Sequence, residues 1–350
     1  MVWDRIGDYH AARFLALEKI VGEGNVFISD LGGADNLYKW KNPLSDHPCY
    51  KPLSDIPVQE AALTKRIGTF VSVARKNKIK ILGLAGYGRM EYIWILFISK
   101  MLGIKVILFA ESWYGNNAVI NALKGSFLNW FCKGFLVSGL RAKAHFSEKL
   151  GIPLHKIEMR YSVVDNAHFQ QQSKVEKENI LLCVARFSEE KNLIRLISAF
   201  KNSKISNSWK LQIVGGGPLK AQLLQAIGNQ ANVQLSDWLS YSALPILYAH
   251  SRVFILPSTF EPWGLVANEA MAAGLPVLLS EQCGCTPDFA GTFDGSTFDA
   301  EDEASITFSI NKISELSNAE LERIGNNNQQ KVKNYSTEVW AKNLLNLAFG

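Results

Sequence analysis

Two carboxylates stand eight residues apart in STFEPWGLVANEAMAAGLPV (residues 258–277), Glu261 in an irregular loop and Glu269 in an apolar run with helical spacing. A charge set among Leu265, Val266, Ala267, Ala270 and Met271 costs free energy unless a partner satisfies it. As a glycosidase pair the two acids are too far apart. Eight residues at about 1.5 Å of rise separate them by roughly 12 Å, beyond the ~9.5 Å upper limit of an inverting pair. The spacing suits opposite ends of one elongated ligand, each acid taking a pair of hydroxyls. Between them the backbone N–H groups of Trp263, Gly264 and Leu265 open a helix, a ready site for phosphate. A buried ion pair between Glu269 and a Lys or Arg explains this stretch equally well by itself.

A second loop favours the ligand. After NILLCVA comes Arg186-Phe-Ser-Glu-Glu-Lys191-Asn192, with one cation at the end of a strand and one at the start of a helix. Two cations and a helix N-terminus meeting in one cleft would clamp a diphosphate, through charge-assisted contacts of roughly 1.5–3 kcal/mol each. In isolation the same loop reads as Arg186 and Lys191 paired in solvent with Glu189 and Glu190, contacts that are common and weak. A third loop, Gly215-Gly216-Gly217-Pro218-Leu219, lets backbone approach phosphate closely. It lacks the G-x-G-x-x-G spacing and the downstream acid of a dinucleotide site, which argues against a dinucleotide oxidoreductase.

Strands must place these loops. The runs NVFISD, IKILGLAG, IKVILFAE and GFLVSG alternate with helical patterns in the first 165 residues, and NILLCVA, LQIVGGG, NVQLS, RVFILP and PVLLS do so afterwards. Continuous apolar strands alternating with helices predict parallel sheets covered on both faces. Two such blocks in 350 residues, above the roughly 250–300 at which one core stops growing, predict two doubly wound α/β domains. The polar stretch Asn166–Asn179 reads as the linker. Ligands of such sheets bind beyond the carboxyl ends of the strands, so Gly86–Met90 and Glu111–Asn117 also come into view.

Composition excludes other classes. Five cysteines, Cys49, Cys132, Cys183, Cys283 and Cys285, are odd in number and lack paired zinc-finger spacing, which fits a reduced compartment such as the cytoplasm. Cys283-Gly-Cys285 has no second Cys or His cluster to complete a metal site. The opening MVWDRIGDYH is no secretory leader, and Ile93–Ala110 is cut by Lys100, Gly103 and Lys105 and reads as a helix entering a buried strand. Through Asp165 the chain holds 22 Lys and Arg against 14 Asp and Glu, and the remainder 15 against 18. The first half is therefore the half to meet an anionic partner. No nucleic-acid-reading motif accompanies that excess.

Together, LLCVARFSEEKN, LQIVGGGPL, VFILPSTFEPWGLVANEAMAAGLPVLLS and CGCTPDFAGTFDGSTF resemble the family 4 glycosyltransferases, retaining nucleotide-sugar enzymes of the GT-B fold. SGLRAKAHFSEKLGI and VVDNAHF extend the resemblance more loosely into the first half. It implies two Rossmann-like, doubly wound domains facing a central cleft: an acceptor domain over residues 1–168, a donor domain over 169–334, and a C-terminal helix over 335–350 that packs back toward the first. It implies that Glu269 holds the ribose hydroxyls, that Glu261 contacts the donor sugar, and that the backbone from Pro262 through Trp263 and Gly264 to Leu265 lies against it. Arg186 and Lys191 would neutralise the leaving diphosphate. Gly215 and Gly217 would lie against the donor, and the base would stack near Trp238. No protein nucleophile, cofactor or metal is expected, since the Asp-x-Asp motif of metal-dependent glycosyltransferases is absent.

The implied partners are a nucleotide-sugar donor and a saccharide, lipid-linked or small-molecule acceptor. Acceptor residues are assigned to His10, Tyr87 and Glu111, with capping of a helix an equal account of Glu111. The opening departs from the family pattern, with only a stub of strand before Asp8, so either that strand is very short or the recorded start is late. In Ala122–Gly134, Lys124 and Lys133 interleave with Phe127, Trp130 and Phe131. That pattern suits peripheral contact with the inner face of a membrane, although core packing is favoured because a crossover helix must cover its sheet. A nucleotide-sugar epimerase of the same fold and a non-catalytic sugar- or membrane-binding scaffold are the rival functions.

Overall fold

The computed structural model describes residues 1–32, 42–56, 60, 62–115, 117–170 and 175–350. The chain divides into two compact units, Met1–Val164 with Ser336–Gly350, and Asp165–Tyr335. Each holds a six-stranded, wholly parallel sheet.

In the first unit the strands are β1 (Val2–Trp3), β2 (Ser29–Asp30), β3 (Ile81–Ala85), β4 (Lys105–Ala110), β5 (Cys132–Val137) and β6 (Ile157–Glu158). Their order is β2-β1-β3-β4-β5-β6. The stub at the start is a true strand of two residues, in which Val2 pairs with both Ser29 and Leu84. Ile107, Leu108, Phe135 and Leu136 have no exposed surface, as expected of strands covered on both faces. The helix Thr337–Phe349 belongs to this unit, with Trp340 fully buried and its ring 5.9 Å from that of Phe109.

In the second unit the strands are β7 (Ile180–Val184), β8 (Lys210–Val214), β9 (Val233–Ser236), β10 (Val253–Leu256), β11 (Val277–Ser280) and β12 (Thr297–Phe298), in the order β12-β11-β10-β7-β8-β9. Chain order reverses between β7 and β10 here, and between β1 and β3 in the first unit. Such switch points are where open α/β sheets bind ligands.

The unit boundary falls before Asp165 rather than after residue 168, and the expected linker does not begin at Asn166. Asn166–Gln170 is a helix. Its Phe169 is 1% exposed and packs edge-on against Tyr241 and Tyr248, while the Asn166 side chain donates to the Val332 carbonyl. One buried aromatic ties a polar-looking stretch to the second core. Residues 171–174 of that expected linker, and Asn116 of the Glu111–Asn117 loop, lie outside the described residues.

Candidate functional site

Three loops of the second unit are hydrogen-bonded into one surface at the carboxyl ends of β7, β8 and β10. The loop after β7 is tied to the glycine loop after β8: Phe187 N–H donates to the Gly216 carbonyl, and Leu219 N–H to that of Phe187. Packing is close enough to require glycine. A Cβ on Gly215 would lie 1.9 Å from the Ala185 carbonyl oxygen, and one on Gly217 2.7 Å from that of Phe187. On the other side, Thr259 N–H donates to the Glu190 carbonyl. Asn192, in the left-handed conformation at φ 57°, donates from its side chain to the carbonyls of Pro257 (3.1 Å) and Ala300 (2.7 Å). Asn192 is a positioning residue that the sequence did not single out.

The two sequence motifs meet directly. Lys191, at the end of a short 3-10 turn, forms an ion pair with Glu261 in which both side chains are largely buried. Arg186 remains more exposed and pairs with Glu190 at 3.1 Å. Against the opposing effect of burial, the Ser188 hydroxyl and Arg186 hold the Glu190 carboxyl below its usual range. The solvated pairing weighed from the sequence thus holds for Arg186, whereas Lys191 turns to the acid of the other loop.

The loop carrying Glu261 is held from behind by the Cys283–Cys285 turn. Gly284 N–H donates to the Glu261 carbonyl and Cys285 N–H to that of Trp263. Both cysteines are fully buried, and burial pushes the Cys285 thiol well above its usual range. Their place in the structure is to shape this loop. Pro262 has no N–H, so the donors at the helix start are Trp263, Gly264 and Leu265. The Trp263 side chain points inward, 2% exposed, with Nε1 donating to Asn268 Oδ1 at 2.8 Å and its ring stacked on Tyr335. Gly264 adopts φ 106°, which turns the chain into the helix Leu265–Ala272. That helix has no acidic residue in its first turn and no side-chain cap, so its positive end is not neutralised there.

Glu269 lies in this helix with no exposed surface. The Tyr248 hydroxyl donates to its Oε2 at 2.6 Å. A phenol from the helix Leu244–His250, which the sequence did not point to, thus gives this buried carboxylate a donor from within the protein. Trp238, 54% exposed, stands over the glycine loop, where a Cβ on Gly216 would come within 2.7 Å of its Nε1.

In the first unit, His10 and Glu111 both lie near Tyr161. The His10 ring is 5.1 Å from that of Trp3, whose Nε1 donates to the Tyr161 hydroxyl, and the Glu111 charge helps raise that hydroxyl's pKa behind the larger effect of burial. Glu111 accepts a hydrogen bond from Ser162 and does not cap the following helix, whose cap is Asn117. Tyr87 bonds to Ser112, and burial raises its pKa. Of these three residues only His10 lines a cavity of about 480 Å³ at the ends of β1 and β3.

Among the described residues one cluster has the donor types for a metal ion: Glu18, His47 and Cys49, with ligand atoms within 4.8 Å of one another. Cys49 N–H donates to His47 Nδ1 (3.2 Å), so the neutral ring carries its proton on Nε2, which faces Glu18 Oε2 at 3.3 Å. Both ring nitrogens are then engaged within the protein, and the cluster does not fit an ion without rearrangement.

The profile of the glycosyl transferases group 1 matches residues 164–331, nearly the whole of the second unit. That unit belongs to the group 1 glycosyl transferases. Over 203 residues the chain is 28% identical to an uncharacterized glycosyltransferase of Methanocaldococcus jannaschii (56% of this chain, 52% of that protein). Over 157 residues it is 32% identical to the O-antigen chain mannosyltransferase RfbU of Salmonella typhimurium (43% and 42%). The chain thus spans about half the length of these relatives. Its fold matches a glycosyltransferase from Rickettsia africae ESF-5 (TM-score 0.79, 14% identity, 98% and 95% coverage). It also matches Anabaena Alr3699/HepE in complex with UDP and glucose (0.75, 16%, 97% and 96%). Both units together therefore have the GT-B architecture, and the group 1 match spans the loops that carry Lys191 and Glu261.

Proposed function

We propose that the protein is a metal-independent, retaining glycosyltransferase that moves a sugar from a nucleoside diphosphate donor to a saccharide, lipid-linked or small-molecule acceptor. One observation carries this reading: Arg186, Lys191, Glu261 and an uncapped helix N-terminus converge at the β7/β10 switch point. The mannosyltransferase among the relatives and the UDP and glucose bound by the Anabaena protein support it.

The diphosphate lies against the N–H groups of Trp263, Gly264 and Leu265, with Arg186 and Lys191 beside it. As the bond from the anomeric carbon to the diphosphate breaks, negative charge grows on the leaving oxygen, and these donors stabilise that charge more than the ground state. The acceptor hydroxyl attacks the face being vacated and gives its proton to the leaving phosphate, so configuration is retained without a protein nucleophile. Glu261 holds the sugar hydroxyls and, when the donor arrives, shares Lys191 with it. Glu269 takes the ribose hydroxyls once the residues covering it shift, its carboxylate kept oriented by Tyr248. The base stacks on Trp238. Arg186→Ala lowers kcat about 10²–10³-fold, the usual effect of losing one transition-state donor. Melting with UDP, GDP or ADP, with and without EDTA, identifies the nucleotide. Wild-type kinetics in the variant, or stabilisation that EDTA abolishes, would overturn the reading.

Peripheral membrane contact is part of the proposal. Along the helix Met90–Met101, the exposed positions Met90, Trp94, Phe97 and Met101 form an apolar stripe, and the neighbouring helix Ala118–Phe131 exposes Val119, Ile120, Leu123 and Trp130. An ordinary surface helix turns polar residues outward. The cations here are Lys100, whose ammonium lies 4.9 Å over the Trp130 ring, and Lys124; the acid of these helices, Glu91, is buried against Arg66. Apolar side chains mixed with lysines and an interfacial Trp match an anionic lipid surface. Among the described residues no helix is long and apolar enough to cross a membrane. The proposed location is the cytoplasmic side.

A further inference from the structure

The peptide that joins Trp263 to Gly264 is fixed from behind. A trans peptide is planar, with its C=O and N–H pointing opposite ways. Cys285 N–H, which donates to the Trp263 carbonyl at 3.0 Å, therefore also sets the direction of the Gly264 N–H. That N–H points away from the Cys283–Cys285 turn. Its aim holds only while Trp263 stays in place, because glycine, here at φ 106°, adds no stiffness of its own. Whatever anchors the Trp263 side chain thus anchors a backbone donor at the helix start.

Three groups do so. Asn268, with no exposed surface, takes the indole N–H on its Oδ1 at 2.8 Å. Phe289 meets the indole edge-on, with ring centroids 5.5 Å apart and planes at 70°. Tyr335 stacks on it at 5.9 Å and 27°, and meets Phe289 in turn at 4.7 Å. None of the three aromatic side chains is more than 4% exposed.

Tyr335 is itself held. Its hydroxyl donates to Asp288 Oδ1 at 2.6 Å, and Asp288, 6% exposed, sits beside Phe289 in the short helix Thr286–Phe289 that leaves the Cys283–Cys285 turn. The turn and its helix therefore supply the N–H on the Trp263 carbonyl, one ring of the aromatic cluster and the acceptor for another. Volume alone needs no hydroxyl here, since a phenylalanine ring would fill the same space. A buried carboxylate is costly to place, whereas a phenol bonded to it is held roughly twice as firmly as by a neutral bond. The pair meets a demand for orientation rather than for packing.

We propose that Tyr335, held by Asp288, is a positioning residue of the transfer site: through Trp263 it aims the Gly264 N–H at the diphosphate. This rests on the transferase reading above, which puts the diphosphate at the start of the helix Leu265–Ala272.

The test uses the full-length protein. UDP, GDP and ADP are screened by melting, and the one that stabilises the wild type is titrated calorimetrically, with its nucleoside measured by displacement. A misaimed N–H weakens the hold on the phosphates and leaves base and ribose contacts alone, so the ratio of the two affinities is the readout. A purely structural role would lower the melting temperature and leave the ratio unchanged; titrations run well below the lowest melting temperature. In Tyr335→Phe the preference for the diphosphate is expected to fall about tenfold, roughly the worth of one hydrogen bond to a charged group. Asp288→Ala should do the same, and Asp288→Asn, whose amide oxygen still accepts from the phenol, should stay close to wild type. An unchanged ratio in Tyr335→Phe overturns the proposal, as does a loss in Asp288→Asn equal to that in Asp288→Ala, which would give the effect to the charge instead of the phenol. If none of the three nucleotides binds the wild type, the transferase reading falls and takes the proposal with it; wild-type binding with unchanged ratios in the variants removes the proposal alone.

Discussion

Replacing Tyr248 with Phe removes one oxygen and leaves the Oε2 of a fully buried carboxylate without the donor that now lies 2.6 Å away. The ring itself has no exposed surface and packs against Phe169 and Phe254, so the variant keeps the ring's packing and loses what the hydroxyl makes. A hydrogen bond to a charged group contributes about 1.5–3 kcal/mol, and stripping one partner from a buried charge costs up to about 3–5 kcal/mol. Glu269 has further interactions that soften the loss, so about 2–3 kcal/mol is expected. For a unit of this size, Asp165–Tyr335, that lowers its melting temperature by roughly 4–10 °C. Urea denaturation of the wild type, Tyr248→Phe, Glu269→Gln and the double variant gives the coupling energy. The double variant should recover part of the loss, because a neutral amide is cheaper to bury than an unpaired carboxylate. UDP affinity should fall in Tyr248→Phe as well, if the phenol keeps the carboxylate aimed at the ribose. A Tyr248→Phe melt within 1 °C of wild type, with coupling below about 0.5 kcal/mol, would refute the account of how this helix tolerates its charge.

Two further outcomes follow from the first unit. Burial pushes the Asp30 carboxyl up to about 7, in spite of the hydrogen bond from Tyr50. The folded protein then retains a proton that the unfolded chain sheds from about pH 4; the stability this gives is complete below pH 4 and is lost as pH rises to about 7. The carboxyl ¹³C resonance of Asp30 should titrate near 7, and Asp30→Asn should flatten that slope; a midpoint near 4 contradicts it. The apolar stripe makes a separate demand: the protein should sediment with vesicles containing anionic lipid and less with neutral ones, and Trp94→Glu with Leu123→Glu should abolish this without changing the melt. Equal sedimentation of the variant rules out this face, and a salt-insensitive self-association of the wild type would assign it to a second copy of the chain.

The sequence was sufficient wherever local chemistry is also global chemistry. Continuous apolar runs such as IKVILFA and NILLCVA can only be strands covered on both faces, and their alternation with helices leaves little besides two doubly wound sheets. The same holds for the loops after β7 and β10: short spacings mark them, and strand order at a switch point makes them neighbours. Pairings across long stretches of chain were not legible. Lys191 meets Glu261 across 70 residues and Tyr248 meets Glu269 across 21, and neither partner carries a local signal of the other. Trp263, Phe289 and Tyr335 look like separate core aromatics until the folded chain stacks them behind the loop that follows β10. The strands β1, β6 and β12, at two residues each, show no periodicity to read and are held by neighbours on the sheet. Residue types and spacing therefore determined the fold class and which loops carry the charged and glycine-rich motifs, because those depend on backbone conformation and burial pattern. Which charge neutralises which, and where a cavity is left open, was decided by the tertiary structure alone, because those depend on distances that the chain sets only by closing on itself.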